Sequence, residues 1–157
     1  MKLIDFVNTA AIIPELAGGD RNAVIRELVH SLAAREALDA ARADGIAQAV
    51  IYREKQGTTG FGNGVAVPHV KHEAVPKTMA TVGRSSHGVD FQALDRAPVY
   101  TVVLLLSPKS DPDAHLAAME KIFRHLQEAN FRRFLRQADT QEKIADLIAE
   151  ADESGTG

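Results

Sequence analysis

The segment that could do chemistry runs from Arg53 to His69. It carries four glycines within eight residues (Gly57, Gly60, Gly62 and Gly64) and then reads Val65-Ala66-Val67-Pro68-His69. Glycines let backbone N–H groups converge without a Cβ in the way, so a loop of this kind suits an anion such as phosphate. Thr58 or Thr59 adds a hydroxyl donor, and Gly62, Asn63 and Gly64 are the candidate backbone cradle. It is not a Walker loop, because no Gly-Lys-Ser/Thr follows. Nor is it a dinucleotide fingerprint, because the third glycine required after Gly60 and Gly62 falls at Val65. Pro68 lacks an N–H and fixes its own φ, which ends the strand before it and aims His69 in a set direction. With an ordinary pKa of about 6.5, a histidine held this way is mostly neutral near pH 7. One ring nitrogen can then attack phosphorus while a hydrogen bond holds the other.

The elements that must position this loop can be read around it. Asp20 is a plausible N-cap for a helix to about Ala34 that puts Val24, Ile25, Leu28, Val29 and Leu32 on one face. A second helix starts near Ala40, runs through Ile46, Ala49, Val50 and Arg53, and is expected to stop at Gly57. The β-branched alternation after the loop predicts a short strand, and Thr78 to Arg84 and Pro98 to Ser107 predict two more. The last is a near-continuous apolar run of the kind expected for a strand covered on both faces. Asp111-Pro112 reads as an N-cap with proline at the first helical position, opening a helix whose apolar face takes in Leu116, Met119, Ile122, Phe123 and Leu126. Asn130 is expected to break it before a short turn at Phe131, Phe134 and Leu135. Asp139 or Thr140 then caps a last helix bearing Ile144, Leu147 and Ile148, and 153–157 forms a flexible tail. The result is a single α/β domain over residues 1–152, a mixed sheet with helices on either side.

Composition removes several function classes. The chain has 157 residues, 45% of them apolar, enough for one domain with a real core. Eighteen basic residues against 21 acidic ones, with no basic block, give no electrostatic footprint for nucleic acid or an anionic membrane surface. There is no cysteine, which excludes disulfides, zinc-thiolate sites and thiol nucleophiles and fits a cytoplasmic protein. The longest apolar stretch, Val99 to Leu106, has about half the length of a membrane span, so no membrane insertion is expected.

From Arg53 to His69 the chain resembles the active-site signature of enzyme IIA of the mannitol/fructose class in the bacterial sugar phosphotransferase system, most closely its nitrogen-regulatory branch. The likeness continues through Gly88-Val-Asp-Phe-Gln-Ala-Leu-Asp95, the strand Val99 to Leu106 and the helix start Asp113-Ala-His115-Leu116. The resemblance implies an α/β/α domain in which His69 is phosphorylated, with Arg53 and His115 as its active-site companions and Thr58 at a loop hydroxyl position. It implies an HPr-like phosphocarrier as donor and an enzyme IIB domain or a regulated target as partner, with no cofactor beyond the phosphoryl group. Val70 stands where a small residue such as glycine is common, which narrows access to His69. Asn63 stands where mannitol-specific members have glutamate, which argues against mannitol.

Physically, phosphoryl transfer needs positioning and cationic or N–H donors for the equatorial oxygens. Arg53 is expected to neutralise and orient the group. His115, near the N-terminus of its helix, is expected to donate to a phosphoryl oxygen with help from the helix dipole. His69 and His72 form a His-x-x-His pair, but with no cysteine and only Glu73 at ligand spacing no metal is assigned. His30, His87 and His125 read as surface or partly buried residues, and Phe61 and Phe91 as packing groups. Two roles stay open at this point, a carrier in sugar transport and a regulatory switch. A member that binds a partner without being phosphorylated is the remaining alternative.

Overall fold

The computed structural model describes residues 1–154, with the Ser154 side chain left aside. Four strands build one mixed sheet: β1 (Val65–Ala66), β2 (His69–Lys71), β3 (Met79–Val89) and β4 (Val99–Ser107). β1 and β2 both pair in parallel with β4 at one constant offset, Val65 opposite Thr101 and His69 opposite Leu105. They are therefore one strand interrupted at Val67-Pro68. The proline supplies no N–H, yet its carbonyl still accepts from Leu105 N–H at 3.0 Å, so the register survives the break.

β3 lies antiparallel on the other edge of β4 and reaches past the expected Arg84 to Val89. Between those two residues it carries an irregularity: five steps on β3 match only two on β4, from Thr101 to Val99. The opening segment runs along the outer edge of β3, with bridges from Val7 to Ala80, Ile13 to Gly83 and Asp20 to Asp90, and so covers what would be an open edge.

The alternation of β4 builds two cores. Val102, Leu104 and Leu106 face one layer, formed by α2 (Arg21–Ala34) and α3 (Ala43–Gln56). Val103 and Leu105 face the other, formed by α1 (Leu3–Phe6), α4 (Pro112–Leu126), α5 (Ala129–Gln137) and α6 (Gln141–Ser154). The expected three-layer α/β arrangement is thus observed. A Cβ on Gly83 would lie 2.7 Å from Leu16 and 3.0 Å from Leu28, so a side chain there would have to displace the ends of both leucines. The ends of the described chain are joined, because the Asp152 carboxylate of α6 accepts the Leu3 and Ile4 N–H groups of α1.

Capping explains the helix starts. Asp20 and Asp111 each accept an N–H from three residues ahead, and Pro112 takes the first position of α4. Of the two candidate caps for α6, Thr140 is the one that accepts, from Lys143 N–H. Several expectations need correcting. α4 ends at Leu126, and the turn at Gln127 and Glu128 separates it from α5, so Asn130 lies inside a nine-residue helix instead of breaking one. Leu116 projects outward, 59% exposed, and is not part of the buried face of α4. His125 is buried. Gly57 ends α3 in extended backbone (φ 178°), a conformation open to any residue, and not in a left-handed cap. Of the expected tail, residues 153 and 154 continue α6, and 155–157 lie outside the described residues.

Candidate active site

His69 opens β2 immediately after Pro68, and its ring folds back so that Nδ1 lies 2.8 Å from the Val67 carbonyl oxygen. A carbonyl only accepts, so Nδ1 carries the proton, and Nε2 of the neutral ring keeps its lone pair. Desolvation is the main cause of a lowered pKa for His69. The bond to Val67 opposes it, and the charge of Arg53 reinforces it. Near neutral pH the ring is therefore neutral, with a fixed tautomer and a free lone pair on Nε2.

His115, in the second turn of α4, is 8% exposed, and its ring centroid lies 5.6 Å from that of His69 with the planes tilted by 48°. Its pKa is lowered to about 4, first by burial and then by the charges of His69 and Lys71. Its Nδ1 lies 2.7 Å from Ser107 Oγ at the end of β4, and Ser107 Oγ in turn accepts a 3.3 Å hydrogen bond from the Thr78 hydroxyl. The sheet register explains the meeting: His69 and Lys71 project to one face of β2 opposite Leu105 and Ser107, the face on which α4 packs.

Arg53, in the last turn of α3, donates from Nη1 to the Gly57 carbonyl at 3.0 Å, and its charge is felt at His69. Its neighbour Glu54 is fully buried and accepts from both the N–H and the hydroxyl of Thr59. Thr58 Oγ1 accepts from Gly60 N–H, a local turn bond.

The structure thus gathers His69, His115 and the Arg53 charge. It does not bring Gly62, Asn63 and Gly64 beside them. Gly64 opens β1 by accepting from Tyr100 and Thr101 N–H groups, five residues before His69 on an extended strand, or roughly 16 Å at about 3.3 Å per residue. Gly62 (φ 118°), Asn63 (φ 61°) and Gly64 (φ 74°) form a run of positive φ that turns the chain back into β1. Phe61, beside this turn, is 54% exposed and meets Phe123 of α4 edge-on at 5.4 Å, whereas Phe91 is wholly buried.

Sequence reasoning missed four residues. Lys71 had a signal, since it is two residues after His69 and so on the same strand face. Ser107, Thr78 and Glu54 had none, because their roles depend on tertiary neighbours.

Comparison with known proteins now adds to this geometry. Residues 5–151 match the family described as phosphoenolpyruvate-dependent sugar phosphotransferase system, EIIA 2. The chain belongs to that family. Among its EIIA relatives, a nitrogen regulatory protein of Pseudomonas aeruginosa is 32% identical over 150 residues, covering 96% of each chain. A fructose-specific EIIA component of Haloferax volcanii is 33% identical over 117 residues, covering 73% of this chain and 76% of the relative. The fold matches that of nitrogen regulatory protein IIA-Ntr from Neisseria meningitidis with a TM-score of 0.81 at 24% identity, over 92% of this chain and 97% of that one. It also matches the IIA mannitol protein of Escherichia coli (TM-score 0.74, 19% identity), over 90% of this EIIA chain and 97% of that one. Among the described residues no helix is long and apolar enough to cross a membrane.

Proposed function

We propose that this EIIA chain is a phosphocarrier that accepts a phosphoryl group on Nε2 of His69 from the phosphohistidine of an HPr-like protein. The observation that carries the reading is the Nδ1–H bond to Val67, which leaves Nε2 unprotonated at the end of a strand, 5.6 Å centroid to centroid from His115. In the transfer, the lone pair of Nε2 forms the new N–P bond. The donor's N–P bond breaks, and its electron pair returns to the donor imidazole. No proton has to leave His69, because the one on Nδ1 stays on the ring, hydrogen-bonded to the Val67 carbonyl oxygen. Arg53, Lys71 and His115 supply positive charge and N–H donors to the equatorial oxygens, where charge-assisted bonds are worth roughly 1.5–3 kcal/mol each.

The phosphoryl group then passes to an enzyme IIB domain or remains as a regulatory mark. A solved complex of the E. coli mannitol enzyme IIA with phosphorylated enzyme IIB, which shares this fold at a TM-score of 0.74 and 19% identity, supports the first route. The regulatory route is supported by the P. aeruginosa nitrogen regulatory protein, which matches this chain end to end. Added phosphate brings a charge of about −1.5 to −2 to a face that carries the exposed Leu116, and so alters what can dock there. The chain is placed in the cytoplasm, where a carrier of this kind would meet it.

The test is incubation with phosphoenolpyruvate, enzyme I and an HPr-type carrier, read by intact mass and acid lability. An acid-labile gain of about 80 Da, one phosphoryl group, is expected for wild type and His115→Ala and not for His69→Ala. No gain on wild type with a demonstrably active carrier would leave a module that binds partners without being phosphorylated.

A further inference from the structure

We propose that Ser107 and Thr78 are positioning residues for this transfer: the Ser107 hydroxyl, oriented by Thr78, donates to Nδ1 of His115 and leaves the proton of that ring on Nε2, as a hydrogen-bond donor toward the phosphoryl group of His69. The role rests on the phosphocarrier reading; the assignment of the tautomer does not.

The hydrogens available at Ser107 and Thr78 favour one direction for this chain of bonds. Ser107 Oγ is completely buried and makes two hydrogen bonds among the described residues, to Thr78 Oγ1 at 3.3 Å and to His115 Nδ1 at 2.7 Å. A serine hydroxyl has one hydrogen and two lone pairs. The Thr78 hydroxyl donates to it, which uses one lone pair. Were His115 Nδ1–H the donor instead, the Ser107 hydrogen would have to turn to Thr78 Oγ1 over the longer 3.3 Å separation, and the Thr78 hydroxyl hydrogen would be left with no acceptor among the described residues. With Thr78 donating to Ser107 and Ser107 donating to Nδ1, every hydrogen is used, and the 2.7 Å separation suits a strong O–H···N bond.

The consequence falls at the other side of the ring. A neutral imidazole with Nδ1 as acceptor must carry its hydrogen on Nε2, and Nε2 makes no hydrogen bond with any described residue. His69 has the same neutral tautomer problem solved in the opposite sense, with Nδ1–H donating to Val67 and Nε2 left bare. Two imidazoles whose centroids lie 5.6 Å apart are thus set to opposite roles, one with Nε2 as nucleophile and the other with Nε2–H as donor. Ser107 stands opposite Lys71 in the β2–β4 register, so the hydroxyl relay and the nearby cation are built on one pair of strand positions.

Long-range ¹H–¹⁵N spectra of the histidine rings at neutral pH read the tautomer without any phosphoryl transfer. Wild type is expected to show His115 as the Nε2–H form, and Ser107→Ala to show a mixture with the Nδ1–H form. In uptake from a phosphorylated HPr-type carrier, Ser107→Ala is expected to lose about tenfold in rate, the scale of one charge-assisted bond. Ser107→Thr, which restores the hydroxyl, is expected to recover most of that, and Thr78→Val to fall between. Amide spectra of each variant report whether the fold is kept. An Nδ1–H His115 in wild type would overturn the proposal, as would a folded Ser107→Ala with wild-type tautomer and rate. If wild type takes no phosphoryl group from an active carrier, the transfer role fails, and the ring spectrum still decides the tautomer.

Discussion

The carboxylate of Glu54 accepts both the backbone N–H and the hydroxyl of Thr59, at 2.7 and 2.8 Å, in a position shut off from solvent. This clasp ties the start of the glycine loop to the last turn of α3, where Arg53 also sits. Among the described residues no cation pairs with this buried acidic group, and Thr59 satisfies both of its oxygens instead.

Thr59→Val tests the clasp with little change of shape. It removes the hydroxyl bond and leaves one buried carboxylate oxygen short of a partner. The expected loss is about 1.5–3 kcal/mol of stability, seen as a lower urea midpoint at unchanged slope. A change under about 0.5 kcal/mol would mean that the carboxylate finds other partners.

Phosphoryl uptake should depend on pH through His69. Its pKa is lowered, chiefly by desolvation, so Nε2 stays unprotonated above the ordinary histidine range and begins to gain its proton only below about 6.5. The uptake rate is therefore expected to be flat from pH 8 to about 6.5 and to fall on the acid side of that. A fall that begins above pH 7 would show His69 to be more basic than its surroundings require.

Lys71 lies two residues beyond His69 on the same strand face, and its charge lowers the pKa of both His69 and His115. Lys71→Gln is expected to let both values rise while slowing phosphoryl uptake. NMR titration of the two rings measures the first effect and carrier-dependent uptake the second. Unchanged titrations would place the ammonium group away from the site.

Much of this was legible along the chain because the signals are local. Asp20, Asp111 and Pro112 announce helix starts by their own side chains, and the run from Val99 to Ser107 declares a strand covered on both faces. Pro68-His69 after a glycine loop marks the proposed phosphoryl acceptor, and the resemblance supplied its candidate companions His115 and Arg53. What stayed hidden depends on distant partners. The opening segment looks unstructured until β3 offers it an edge at Ala80, Gly83 and Asp90. Ser107 is an unremarked polar residue at the end of an apolar run until α4 brings His115 onto it. The glycines 62 and 64 pointed to an anion because they permit one. In the fold their positive φ serves the turn into β1, far along the strand from His69.

His125 sets the last prediction. It is buried between α4 and its neighbours, with Leu126, Phe131, Leu135 and Ile148 lining the same apolar pocket, and its Nε2 has no hydrogen-bond partner among the described residues. Its ring packs against Phe131 at 5.8 Å. Burial lowers its pKa, as it does for His69 and His115. A histidine whose pKa is lowered by folding binds its proton more readily in the unfolded chain. The unfolded state therefore gains protons first as the pH falls below about 6.5, and stability drops. The contribution is whole above about pH 6.5 and is lost as the pH falls through the folded-state values, which for His115 means about 4. Phenylalanine at position 125 keeps a ring against Phe131 and removes the orphaned nitrogen. His125→Phe is therefore expected to be more stable by about 1 kcal/mol at pH 7, with a shallower loss of stability between pH 6.5 and 4. Urea denaturation of wild type and variant across that range measures both. A variant less stable at pH 7, with an unchanged acid slope, would show that Nε2 has a partner in solution and that His125 takes no part in the acid sensitivity of the fold.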